Sequence, residues 1–189
     1  MMEKEPFDRL IQTALRLGAS RAGVIPTANI VVEDELANLC NGSPACENYG
    51  LSPSCPPHVS GPAGFRKLQT ESIHSIVVRI DVPTTVMFSE ERREIMRLLH
   101  EIVAQVESQA VRLGYPDSKA FAGGSCKMLF CHEYARCRVL SRAGECRNPQ
   151  SARPSMSGFG IHVNELMKTL GWSTQNTASD KRREGQSMT

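Results

Sequence analysis

Seven cysteines are the residues of this sequence whose types and spacing could do chemistry. Cys126, Cys131, Cys137 and Cys146 form the pattern C-x4-C-x5-C-x8-C. Cys40, Cys46 and Cys55 form C-x5-C-x8-C and run into Pro56-Pro57-His58. An odd number of cysteines cannot all pair as disulfides. Four thiolates in one short segment suffice for one tetrahedral ion or one cubane cluster. The spacing is neither the C-x2-C pair of zinc knuckles nor the compact run of bacterial ferredoxins. Longer spacings suit a cubane better, because its irons are spread over a larger object than one zinc ion. Three thiolates leave a vacancy. On a [4Fe-4S] cluster that vacancy is an iron free for a fourth protein ligand, water or substrate; on zinc it is the open position of a catalytic-type site. His58 is the nearest local candidate for a fourth ligand, against the commoner role of an ordinary loop histidine.

The surroundings of the second group lean the same way. From Cys126 to Arg153 there are six basic residues (Lys127, Arg136, Arg138, Arg142, Arg147 and Arg153) and two acidic ones, Glu133 and Glu145, in a chain whose net charge is only +2. A four-thiolate cluster is anionic, and nearby cations stabilise it and favour its reduced form. The alternative is a solvated basic face. Gly123-Gly124, just before Cys126, either lets backbone amides approach sulfur or an anion or forms a plain turn. Iron–sulfur ligation is favoured over zinc, and redox-active or unliganded thiols come third. Ser155 has no histidine–acid pair nearby in sequence, and no nucleotide-binding glycine fingerprint occurs, so neither a serine nucleophile nor a nucleotide cofactor is expected.

Composition sets the compartment. The chain has 189 residues, 40% hydrophobic and 22% charged, which fits one globular domain. The N-terminal MMEKEPFDRL lacks the pattern of a secretory signal, and no run of eighteen apolar residues occurs. A cytoplasmic protein among reduced thiols is expected, where dense cysteines mean metal binding or catalysis rather than a disulfide framework. No membrane is expected as a partner. Nucleic acid is not expected either, since aromatic residues are only 5% of the chain and do not interleave the basic ones.

The elements that must position the cysteines are legible in outline. Phe7, Leu10, Ile11, Ala14 and Leu17 share one face of a helix over 6–17, closed by Gly18. A strand over 22–25 and an extended segment over 30–32 are split by Pro26, and a short helix over 33–39 leads into Cys40. Residues 41–64 are dense in Gly, Pro, Ser and Asn and read as a loop. IHSIVVRIDV over 73–82 is the best strand. The best helix follows Ser89, with Ile95, Leu98, Leu99, Ile102, Val106, Ala110 and Leu113 in one stripe closed by Gly114. A short strand is expected over 119–122, and a last helix over 163–170 ends at Gly171. The expected fold is α/β: a small single-domain sandwich over 1–172, a short sheet with helices packed on one face and cysteine-rich metal-binding loops in the connections. The polar stretch 173–189 reads as a disordered tail.

Three segments carry a resemblance. LCNGSPACENYGLSPSCPPH at 39–58, AGGSCKMLFC at 122–131 and CRNPQSARPSMSGFGIHV at 146–163 resemble the small prokaryotic, cysteine-rich predicted metal-binding proteins of the DUF2284 type. The resemblance spans roughly residues 5–170. It implies that all seven cysteines are metal ligands, of iron–sulfur type, and it implies no particular reaction. The first expectation is one or two [4Fe-4S] clusters, with the second cysteine group fully ligating and the first leaving one position open. Such a protein would have an electron-transfer or redox role, with a redox partner protein or a small ligand at the open position. The alternative is a zinc-binding structural or interaction module, or a metal carrier, without catalysis. Neither alternative settles whether the chain is an enzyme.

Overall fold

The structure is a computed structural model, and it describes residues 4–172. The segment 173–189, read above as a tail, lies outside the described residues. Two strands, β1 (Arg21–Pro26) and β2 (His74–Arg79), pair antiparallel in the register Ala22↔Val78, Gly23↔Val77 and Val24↔Ile76. Period-two alternation sends their side chains to opposite faces. Ala22, Ile76 and Val78 face one helical layer, built from α1 (Lys4–Arg16) and the 22-residue helix α5 (Glu91–Arg112). There Leu10 and Ala14 of α1 meet Ile102, Val106 and Ala110 of α5, so the middle of each expected apolar stripe is buried, while Leu17, expected on the α1 stripe, is exposed just past the end of that helix. Ser89 accepts a hydrogen bond from the Glu91 amide at the head of α5 (3.2 Å).

Ile25 and Val77 face the other way, into a second core with Phe65, Phe159, Ile161, Leu166 and Met167. Helices therefore cover both faces of the sheet, not one. With only two strands, neither face can be left wet at reasonable cost, and each strand supplies apolar residues to both sides. The second layer comprises α3 (Gly61–Glu71), a 3₁₀ turn over Met156–Phe159 and α7 (Val163–Thr169). Helix α3 begins inside the stretch expected to be a loop. Pro62 sits in its first turn, where a missing N–H costs nothing, and Phe65 and Leu68 provide its buried side. The short helix before Cys40 is α2 (Asp34–Asn38), and a single turn, α4 (Thr84–Met87), follows β2.

The strand expected over 119–122 does not form. Only Ala122 makes a bridge, parallel to Ser155. Its amide donates to Pro154 O (3.0 Å) and its carbonyl accepts from the Met156 amide (2.9 Å). Phe65, Phe121 and Phe159 meet edge to face, with ring centroids 4.9–6.2 Å apart. These three rings tie together the segments that follow the first cysteine loop, precede the second and follow the second.

Candidate metal centre

Cys40 follows α2 and is half-buried, Cys46 is exposed, and Cys55 is buried. The loop between them closes on itself, since the Cys46 amide donates to Cys40 O (3.1 Å) and the Gly50 amide to Pro56 O (2.8 Å). Burial pushes the Cys40 thiol up, and the neighbouring Cys46 and Cys55 add to the shift. Asn48, between Cys46 and Cys55, has a buried Oδ1 with no hydrogen-bond partner among the described residues. His58 lies at the surface and is exposed.

The second group sits differently from a plain loop. Cys126 opens a one-turn helix, α6 (Cys126–Phe130), and Cys131 ends it. Cys126, Cys131, Cys137 and Cys146 all line one cavity, together with Lys127, Arg138, Arg147, Asn148 and Ser52. None of the seven cysteines is in a disulfide. Among the described residues no three His, Cys, Asp or Glu side chains close on one point as a single bound ion requires. The four cysteines share the lining of one cavity.

Hydrogen-bond donors point at these sulfurs. Ser54 Oγ donates to Cys126 Sγ (3.0 Å), Asn148 Nδ2 to Cys131 Sγ (3.3 Å) and the Asn148 amide to Cys146 Sγ (3.3 Å). Ser52 Oγ lies 2.9 Å from Ser54 Oγ, and both serines are buried. Burial pushes the Cys126 thiol up, and the bonds from Ser54 and Ser52 pull the other way. Ser54 Oγ is also 4.0 Å from Cys55 Sγ, so the two cysteine groups meet at this serine. Donors of this kind orient thiolate ligands and tune the group they hold.

A second face of α5 supports the site. Met96, His100 and Glu107 fall on one side of the helix, away from its core stripe. A Cβ added to Gly123 or Gly124 would come within 3.1 or 3.0 Å of Met96 Cε, and Gly124 has φ +85°. The glycine pair is thus a turn pressed onto α5. His100 is fully buried; its Nδ1 accepts from the Arg153 amide (3.3 Å), so Nε2 carries the proton and donates to Gly123 O (3.0 Å). Glu107 accepts from the Ala120 amide (2.7 Å) and from Arg153 Nε (2.7 Å), while Arg153 Nη1 donates to the carbonyls of Pro149 and Ala152. The RPS segment, chemically silent as sequence, is the clamp that fastens the second cysteine loop to α5. Ser155 then donates its amide to Ser54 O (2.9 Å), linking that clamp to the first loop. Gly160 is required here: a Cβ would lie 2.1 Å from Glu33 O.

Sequence reasoning did not find Ser52, Ser54, Asn148, His100 or Glu107. One sequence signal was available: Cys131-x5-Cys137-x8-Cys146 repeats the spacing of Cys40-x5-Cys46-x8-Cys55. The repeat sets Cys126, the thiol touched by Ser54, apart as the one outside both triplets.

The residues present suit a thiolate-bound group: free thiols around a common space, N–H and O–H donors onto sulfur, and excess positive charge alongside. No curated protein and no solved structure matches the chain significantly. The family model described as predicted metal-binding protein (DUF2284) matches residues 23–188, nearly the whole chain. The chain belongs to that family of predicted metal-binding proteins.

Proposed function

We propose that this chain is an iron–sulfur protein of the cytoplasm with an electron-transfer role. In this reading Cys126, Cys131, Cys137 and Cys146 hold one [4Fe-4S] cluster, and Cys40, Cys46 and Cys55 hold a second with one position open to a further ligand. The observation that carries it is that these four cysteines line one cavity, with Ser54 and Asn148 donating to three of their sulfurs. The long spacings of C-x4-C-x5-C-x8-C favour a polynuclear centre, whose irons are spread over a larger object than one zinc ion. The bound cluster would supply one-electron redox chemistry. The chain's own residues bind it through sulfur, orient those sulfurs by hydrogen bonding and hold the two loops together through Ser54, Ser155 and Arg153.

Anaerobically purified protein tests this directly. It should be brown, contain iron and acid-labile sulfide in similar amounts, and bleach on reduction. Colourless protein with stoichiometric zinc overturns the reading in favour of a zinc module. Replacing Cys40, Cys46 and Cys55 by Ser should remove about half of the iron if there are two centres; loss of all of it means one shared centre.

A further inference from the structure

Lys127 is the residue whose placement the fold leaves unexplained. It follows Cys126 directly, lines the four-thiol cavity and is only 8% exposed. Its Nζ donates to Cys131 O (2.8 Å) and Tyr134 O (2.6 Å). Both acceptors are neutral carbonyls. Among the described residues no carboxylate pairs with this ammonium, whereas the mostly buried guanidinium of Arg153 has Glu107. An ammonium has three donors, and the two named bonds leave one. Burying an unpaired cation is costly unless an anion or a full set of hydrogen bonds compensates it. Lysine is seldom buried without a partner.

We infer that Lys127 is the buried counter-cation of an anionic, thiolate-ligated centre in this cavity. The inference rests on reading the four thiols as metal ligands, and it adds what the cavity must hold: a group with net negative charge. Four thiolates around an iron–sulfur cubane or around zinc both satisfy this, because each leaves the centre anionic. The ammonium therefore does two things. It offsets the mutual repulsion of the thiolates, and it favours the electron-rich state of a redox centre. By binding the carbonyls of Cys131 and Tyr134 it also holds the turn that carries the second ligand. The two roles differ in what they need. Holding the turn needs a donor; compensating the centre needs a charge.

Three full-length variants separate them: K127R keeps the charge, K127Q keeps a donor without charge, and K127M keeps only the stem. In anaerobically loaded protein the midpoint potential should stay near wild type in K127R and move to more negative values in K127Q and K127M. Zinc competition against a chromophoric chelator gives an independent reading, with affinity falling about tenfold or more in K127Q and K127M and held in K127R. A potential and a zinc affinity that are unchanged in K127Q and K127M overturn the inference. So does a loss shared equally by K127R. If wild-type protein takes up zinc but no iron or sulfide, the iron–sulfur reading fails while the zinc series still decides the role of Lys127.

Discussion

Ser54 Oγ donates to Cys126 Sγ at 3.0 Å across 72 residues of sequence, and it stands 4.0 Å from the sulfur of its own neighbour, Cys55. One hydroxyl thus touches both cysteine groups. Its partner Ser52 is fully buried, and Ser54 is buried with it. Removing the hydroxyl in S54A should cost about 1 kcal/mol in denaturant unfolding. In loaded protein it should shift the midpoint of the centre that includes Cys126 to more negative values, since hydrogen bonds to sulfur favour the reduced state. Unchanged stability and potential together would show that the contact is incidental.

Arg153 and Glu107 form a mostly buried ion pair whose guanidinium also reaches two carbonyls of the chain leaving Cys146. Replacing Arg153 by Met leaves Glu107 buried beside one amide, at an expected loss of about 2–4 kcal/mol. R153K should not restore it, because lysine cannot present three directed donors from one plane. The loop that carries Cys137 and Cys146 should loosen first, so metal content should fall at temperatures where circular dichroism still reports intact helices. Loss of metal and helix in a single transition would show that the clamp serves the whole fold and not the loop.

Much of the scaffold was legible because it repeats. The stripes on α1 and α5, the β-branched run of β2 and the closing glycines at 18, 114 and 171 each declare themselves over several residues. The cysteines, too, were legible as a set. What stayed hidden were single contacts made between distant segments. His100 interrupts no pattern, since it occupies a second face of α5 that has meaning only once the loop at 123–124 and the segment at 153 lie against it. The 119–122 segment reads as a short strand because Ala120, Phe121 and Ala122 make an apolar run. It has one partner, Ser155, which does not itself look like a strand. Helix α3 was masked by the Gly and Pro that begin it, although Pro62 is well suited to a first turn.

Burial pushes the His100 imidazole below its ordinary value of 6.5, with the nearby Arg153 charge working in the same direction. The unfolded chain takes a proton near pH 6.5; the folded one resists until lower pH. Stability is therefore complete above that value and is lost as pH falls from it toward the folded value. Protonation would also turn Nδ1 from an acceptor into a donor facing the Arg153 amide. Denaturant midpoints measured from pH 8 to pH 5 should fall through this window, with release of metal alongside. In H100Q the starting stability should be lower by about 1–3 kcal/mol, from the lost buried hydrogen bonds. Its decline between pH 7 and pH 5.5 should be flatter. A decline as steep as in wild type would assign the pH dependence to other groups.

The second cysteine loop presents Arg136, Arg138, Arg142 and Arg147 at the surface. Arg142 holds φ at +55°, an uncommon conformation for a residue other than glycine, and Arg147 lies over the Tyr134 ring at 3.9 Å. Among the described residues none of these four arginines is in an ion pair with a carboxylate, and two of them, Arg138 and Arg147, line the four-thiol cavity. A redox partner that approaches the proposed centre by this route meets a positive collar, and an acidic carrier would be steered toward it. Electron transfer from the reduced protein to an acidic flavodoxin should therefore slow steeply as salt rises, while transfer to a basic cytochrome c should not slow. Reversing charge in R136E/R142E, which leaves the cavity lining intact, should lower the second-order rate with flavodoxin about tenfold or more at low salt and flatten its salt dependence. A rate with flavodoxin that is insensitive both to salt and to these substitutions would place the partner's approach elsewhere, most directly at the exposed Cys46 loop.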